Sequence, residues 1–166
     1  MKLDPKLEQF ALTQLKAMSD MYERKWTPKT GDEMVCPQSI VLIKGDYTPD
    51  TAPRPLADYL FSSPERKAQI PVVVKALLTD VEGALAVLVG SETWQAHCTD
   101  NVDHIPGQVR GMPGYKTSMM VMVYTPKDQW MYCQDMKDGK RDGEHQSQGP
   151  FSQGEARPSG RLVMEQ

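Results

Sequence analysis

Apolar residues recur at spacings of three and four through the first part of the chain: Leu7, Phe10, Ala11, Leu15, Met18, and then Met21 or Tyr22. That period places them on one face of a helix, with Lys6, Glu8, Gln9, Gln14 and Lys16 covering the others. Asp4 followed by Pro5 supplies an N-cap and a proline at the first helical position, so the pattern predicts a helix over 4–22. Propensity alone barely holds a helix of this length together, and this one needs an apolar surface to lie on.

The pattern then changes period. Pro28 and Gly31 break the helix, and Ser39–Lys44 (SIVLIK) is a β-branched apolar run that predicts a short strand. Pro49, Pro53 and Pro55 exclude a continuous element after it, with Leu56, Tyr59, Leu60 and Phe61 anchoring one short helical turn. Ser63–Pro64–Glu65–Arg66 reads as another helix start, closed by Pro71.

The middle of the chain carries the β signal. Residues 72–78 and 84–89 are predicted as two strands joined by a turn containing Asp80 and Gly83. Gly90–Ser91 reads as the next turn and Thr93–Cys98 as a third strand. Residues 99–115 are dense in Asp, Asn, Pro and Gly, which marks a long loop. Ser118–Tyr124 (SMMVMVY) and Trp130–Cys133 complete the set. Met119 to Met122 run along both faces of one strand, which implies cover on both sides. The expected fold is α+β: an N-terminal helix packed on a mostly antiparallel sheet of four or five short strands, numerous and short enough for barrel-like closure.

Composition shifts after Gln134. The remaining residues are rich in Gly, Gln, Ser, Asp and Glu, and few are apolar. Ordering each residue costs about 1–2 kcal/mol of backbone entropy, and this stretch has little to bury in return. The organisation expected is therefore a single α+β domain over 1–134 and a poorly packed, flexible or strap-like tail over 135–166. The island Arg161–Leu162–Val163–Met164 offers a docking spot within that tail.

Overall composition narrows the class. An apolar fraction of 39% and a mean hydropathy of -0.53 suit a soluble chain with a modest core. The net charge of -3 gives no basic footprint for coating DNA and no attraction to anionic membranes. No stretch has the length of a membrane span, and the N-terminal residues lack the apolar centre of a secretory signal. Three widely spaced cysteines, Cys36, Cys98 and Cys133, point to reduced thiols and a cytoplasmic protein.

Candidate chemistry centres on one segment. His97, Cys98, Asp100 and His104 are the residues from which a Cys/His catalytic site could be assembled. They lack the paired spacing of a structural zinc site, so no metal is expected. The stretch 107–118 places Lys116 and Thr117 after several glycines, but Tyr115 stands where a phosphate-binding loop needs glycine. Residues 138–149 begin like a calcium loop with Asp138, Asp142 and Gly143. Lys140 and Gly149 then occupy positions that should carry ligands. No cofactor is expected. Arg110, Tyr115 and Lys116 combine cations with an aromatic ring, the mixture common at recognition surfaces, and with Leu162 they form the expected binding surface.

These features favour a small intracellular binding or regulatory domain that acts through contacts with another protein. One alternative is a single-stranded nucleic-acid-binding module, with Trp94, Tyr115, Tyr124, Trp130 and Tyr132 as stacking rings and Arg110, Lys116, Lys127 and Lys137 as phosphate contacts. The other is a small enzyme using the Cys/His site.

Overall fold

A computed structural model describes residues 2–28, 35–97, 116–152 and 162–165. The predicted first helix is present as α1 (Pro5–Lys25). Asp4 caps it by accepting the Lys6 backbone N–H at 2.9 Å, and Arg24 and Lys25 lie in its last turn. The buried residues of α1 are Leu7, Ala11, Leu15, Met18, Ser19 and Tyr22, the stripe read from the sequence with one serine added. The Ser19 hydroxyl donates to the Leu15 carbonyl and so is satisfied within the helix.

After α1 come β1 (Ser39–Lys44), β2 (Pro49–Thr51), α2 (Arg54–Leu60), α3 (Pro64–Lys67) and α4 (Ile70–Asp80). The strands β3 (Ala84–His97), β4 (Lys116–Tyr124), β5 (Asp128–Lys137), β6 (Lys140–Arg141), β7 (Gln146–Ser152) and β8 (Leu162–Glu165) follow. All described strand pairs are antiparallel. The sheet runs β2-β1-β3-β4-β5-β6, with β7 also on β5 and β8 also on β3. It is a curled, open half-barrel. The α+β fold with an N-terminal helix on an antiparallel sheet is thus the one expected, with a larger sheet than four or five strands.

Two expectations are corrected. Residues 72–78 are helical, not a strand: Pro71 opens α4 within its first turn and does not close a preceding helix. The five β-branched residues of α4 disfavour a helix by at most about 0.5 kcal/mol each. Full burial of Ile70 and Val74, four residues apart, returns about 1.5–3 kcal/mol each. Burial therefore decides against local propensity. The second correction concerns the expected turn at Gly90–Ser91, which does not exist. The strands read as 84–89 and 93–98 are one strand, β3, of 14 residues. Gly90 is there because α1 passes close by. A Cβ at that position would come within 2.4 Å of Gln14 Nε2 and 2.9 Å of Ser39 Oγ.

The sheet is covered on both faces. On one, α1 packs over Ala86, Leu88, Met119, Val121, Val123 and Tyr132. On the other, Leu60, Phe61, Ile70 and Val74 from α2 to α4 meet Val87, Val89, Met120, Met122 and Met131. Neighbours along β3 and β4 thus alternate between two cores, which is why residues 119–123 are buried without interruption. The double cover read from Met119 to Met122 is present, supplied on the second side by a helix that the sequence reading had placed in the sheet.

Beyond Gln134, β5 continues to Lys137, and β6 and β7 add to its free side. Residues 144–150 are exposed, and β7 lies at the sheet margin with Pro150 within it, a placement that suits an edge strand. Arg141 of β6 forms ion pairs with Asp20 and Glu23 and so ties this region to α1.

Candidate functional site

The segment singled out by the sequence leaves the sheet from one end. His97 is the last residue of β3, paired with Leu162, and Lys116 opens β4 opposite Gln95. Cys98, Asp100, His104, Arg110 and Tyr115 lie outside the described residues. Of the expected catalytic set only the backbone of His97 is placed, and of the expected binding surface Lys116 and the backbone of Leu162.

Beneath this end, the side chains form a polar row across three strands. Thr93 stands opposite Ser118, and Ser118 opposite Asp135. The Ser118 hydroxyl donates to Asp135 Oδ1 at 2.7 Å, and Lys116 Nζ lies 3.5 Å from Asp135 Oδ2. Ser91 and Thr93 place their hydroxyls 3.4 Å apart. Ser91, Thr93 and Ser118 are fully buried, whereas Lys116 is half exposed. The alternation along each strand puts this row on the α2–α4 face, beyond the apolar residues that those helices cover. Asp135 is therefore a carboxylate fixed by a hydroxyl on one oxygen and an ammonium on the other, open to solvent on the Lys116 side.

The thiols near this row are poor nucleophiles. Burial, and after it the Asp135 carboxylate, pushes the Cys133 thiol up to about 11. Burial, and then Glu92, does the same to Cys36, also to about 11. Both are protonated at neutral pH, which removes Cys133 as the attacking group considered in the sequence. Among the described residues, no three His, Cys, Asp or Glu side chains gather as a metal site would require.

Glu92 was read as an isolated carboxylate; it is a central one. It is 1% exposed and accepts the backbone N–H groups of Val35 at 2.9 Å and Cys36 at 3.0 Å. The signal was available in principle. Once 84–97 is a single strand, position 92 falls on the α1 face with Ala86 and Leu88, where a carboxylate must find donors.

Three grooves border α1. One, of about 420 Å³, has Tyr22, Trp26 and Met136 as its apolar wall and Lys116, Lys137 and Asp142 among its polar groups. Another, of about 510 Å³, lies between Leu12 and Leu15 of α1 and Arg141 and His145. The third, of about 640 Å³, joins Asp4 and Glu8 to Trp130 and Tyr132. Tyr132 is buried and donates its hydroxyl to Glu8 at 2.9 Å. Trp130 packs partly against the α1 core. These two rings are therefore held in place and do not form an open stacking platform with Trp94 and Tyr124.

The outer helical layer carries the exposed large apolar side chains of the described residues. Leu56 and Tyr59 of α2 are 46% and 55% exposed, and Val72 of α4 is 62% exposed. Leu56 and Tyr59 are three residues apart and share a helix face. The Arg66 guanidinium lies over the Tyr59 ring at 4.3 Å from its centroid. Among the described residues, no helix is long and apolar enough to cross a membrane. No protein-family model, no curated protein and no solved structure matches this chain.

Proposed function

We propose that this chain is a small intracellular binding domain that acts through contacts with another protein. The observation carrying the reading is the α2 face: Leu56 and Tyr59 stand out from the fold together, with Arg66 stacked on the ring. Tyrosine and arginine dominate the energetics of protein interfaces because they bury large area at a small loss of freedom and keep a polar end. Arg66 is itself placed by a hydrogen bond to the Ser62 hydroxyl at 2.8 Å, so the pair is organised before any partner arrives.

The test compares the wild-type chain with Leu56→Ser/Tyr59→Ser in proximity labelling inside cells, followed by titration of the recovered protein against both purified forms. Both residues are exposed, so the variant keeps the wild-type circular dichroism and melting temperature. Loss of a hot-spot side chain costs about 2 kcal/mol or more, a weakening of about thirtyfold in Kd. Equal affinity of both forms overturns the reading. Binding to a labelled single-stranded oligonucleotide that falls steeply with salt overturns it in favour of nucleic acid.

A further inference from the structure

The last strand presents a problem of reach. Ser152, at the end of β7, is opposite Asp128, the first residue of β5. The next residue of β5, Gln129, faces Tyr124, which in turn faces Val87 near the start of β3. Leu162, the first residue of β8, faces His97 at the other end of β3. The two ends of the connection therefore stand at opposite ends of β3 and on opposite sides of the strands between. The offset along the strand from Val87 to His97 is ten residues, about 33 Å at about 3.3 Å per residue. The offset across the sheet, from β7 over β5, β4 and β3 to β8, is four strand spacings, about 19 Å at about 4.8 Å each. On a flat sheet the diagonal is about 38 Å, and twist and curl bring it toward the length of the strands themselves.

Ten peptide units separate Ser152 from Leu162, and a chain of that length spans at most about 33–36 Å. Closure within one chain thus asks the connection for nearly its whole length, and a chain at full length has lost most of its conformational freedom. A neighbouring copy places no such demand. Its β3 offers the same slot, since β1 leaves β3 at Gly90 and the edge from Trp94 to His97 is free for another strand.

We propose that β8 is an exchange strand: Leu162–Glu165 of each copy docks on the Trp94–His97 edge of a second copy, in the same antiparallel register, to form a reciprocal dimer. The main-chain ladder supplies the pairing, as in other strand additions, and the apolar run Leu162–Val163–Met164 supplies what is buried with it. The exchange does not depend on the α2 face.

Light scattering coupled to size exclusion on the full chain, over micromolar to submillimolar concentration, tests this. The full chain is expected to run as a dimer, and a chain ending at Ser152 as a monomer. A chain with about eight Gly/Ser residues inserted after Gly154 gains about 25 Å of reach. It closes on itself at a millimolar effective concentration, so its dimer fraction falls at least tenfold. That variant keeps every native residue and serves if truncation impairs folding. A full chain that is monomeric throughout overturns the proposal. So does a dimer that survives either the truncation or the insertion.

Discussion

The Glu92 carboxylate accepts the backbone N–H of Cys36 at 3.0 Å from within the core, in the middle of β3. Pairing between β1 and β3 ends at Ser39–Gly90, so the residues just before β1 lie outside that ladder. The side chain does for Val35 and Cys36 what a neighbouring strand does elsewhere: it satisfies two buried donors and fixes how the chain enters the sheet.

Glu92→Ala leaves both N–H groups without this acceptor, and the cost is about 1–3 kcal/mol. Glu92→Gln keeps one acceptor oxygen and loses less. Urea unfolding should show the midpoint falling in the order wild type, Gln, Ala, with the slope unchanged. Coincident curves for Ala and wild type would remove Glu92 from this role.

Val72 and Val74 separate the helix from the strand directly. In a strand they share a face; in α4 they lie on opposite sides, 62% and 1% exposed. Val72→Lys is expected to change stability by no more than about 0.5 kcal/mol. Val74→Lys buries an unpaired ammonium and costs about 3 kcal/mol or more. Similar effects at the two positions would contradict the helical assignment.

Gly90→Ala tests the close approach of α1. The new methyl meets Gln14 Nε2, which donates to Ser39 Oγ, and lies 3.1 Å from Met18 Sδ. The glutamine can swing away only by giving up that bond, so a loss of about 1–3 kcal/mol is expected. If 90–91 were the turn read from the sequence, alanine there would be neutral or stabilising. Thermal unfolding distinguishes the two.

Alkaline stability follows from the thiols. Folding raises Cys36 and Cys133 from 9.0 to about 11. Between those values the unfolded chain has released protons that the folded chain still holds, so stability falls as pH rises. Below pH 9 the contribution is fully present. Tyr132 acts in the same sense above pH 10, because burial and Glu8 hold its phenol above the ordinary value of 10.0. Urea midpoints measured from pH 8 to 11 should decline, and the decline should flatten in Cys36→Ala/Cys133→Ala. A profile identical in the two proteins would show that the thiols do not titrate with folding.

The sequence by itself determined the elements whose local signal and burial agree. The α1 stripe, its Asp4–Pro5 start, β1, and the Met119–Met122 run each repeat a period that one geometry satisfies. It also pointed to the end of the sheet where residues 97–117 begin and end, although most of the named candidates there lie outside the described residues. The tertiary structure decided the rest. Val72, Val73 and Val74 suit a strand by propensity, and only the need to cover Val87, Val89 and Met120 makes them a helix. Gly90 carries the same local signal in a turn and under a crossing helix, and only α1 tells which. Glu92, Ser118 and Asp135 are ordinary polar residues in one dimension. They become a satisfied buried acceptor and a polar row once register sets them beside Cys36, Thr93 and Lys116. Such meetings between residues distant in the chain are energies of packing and desolvation, and a local pattern contains neither.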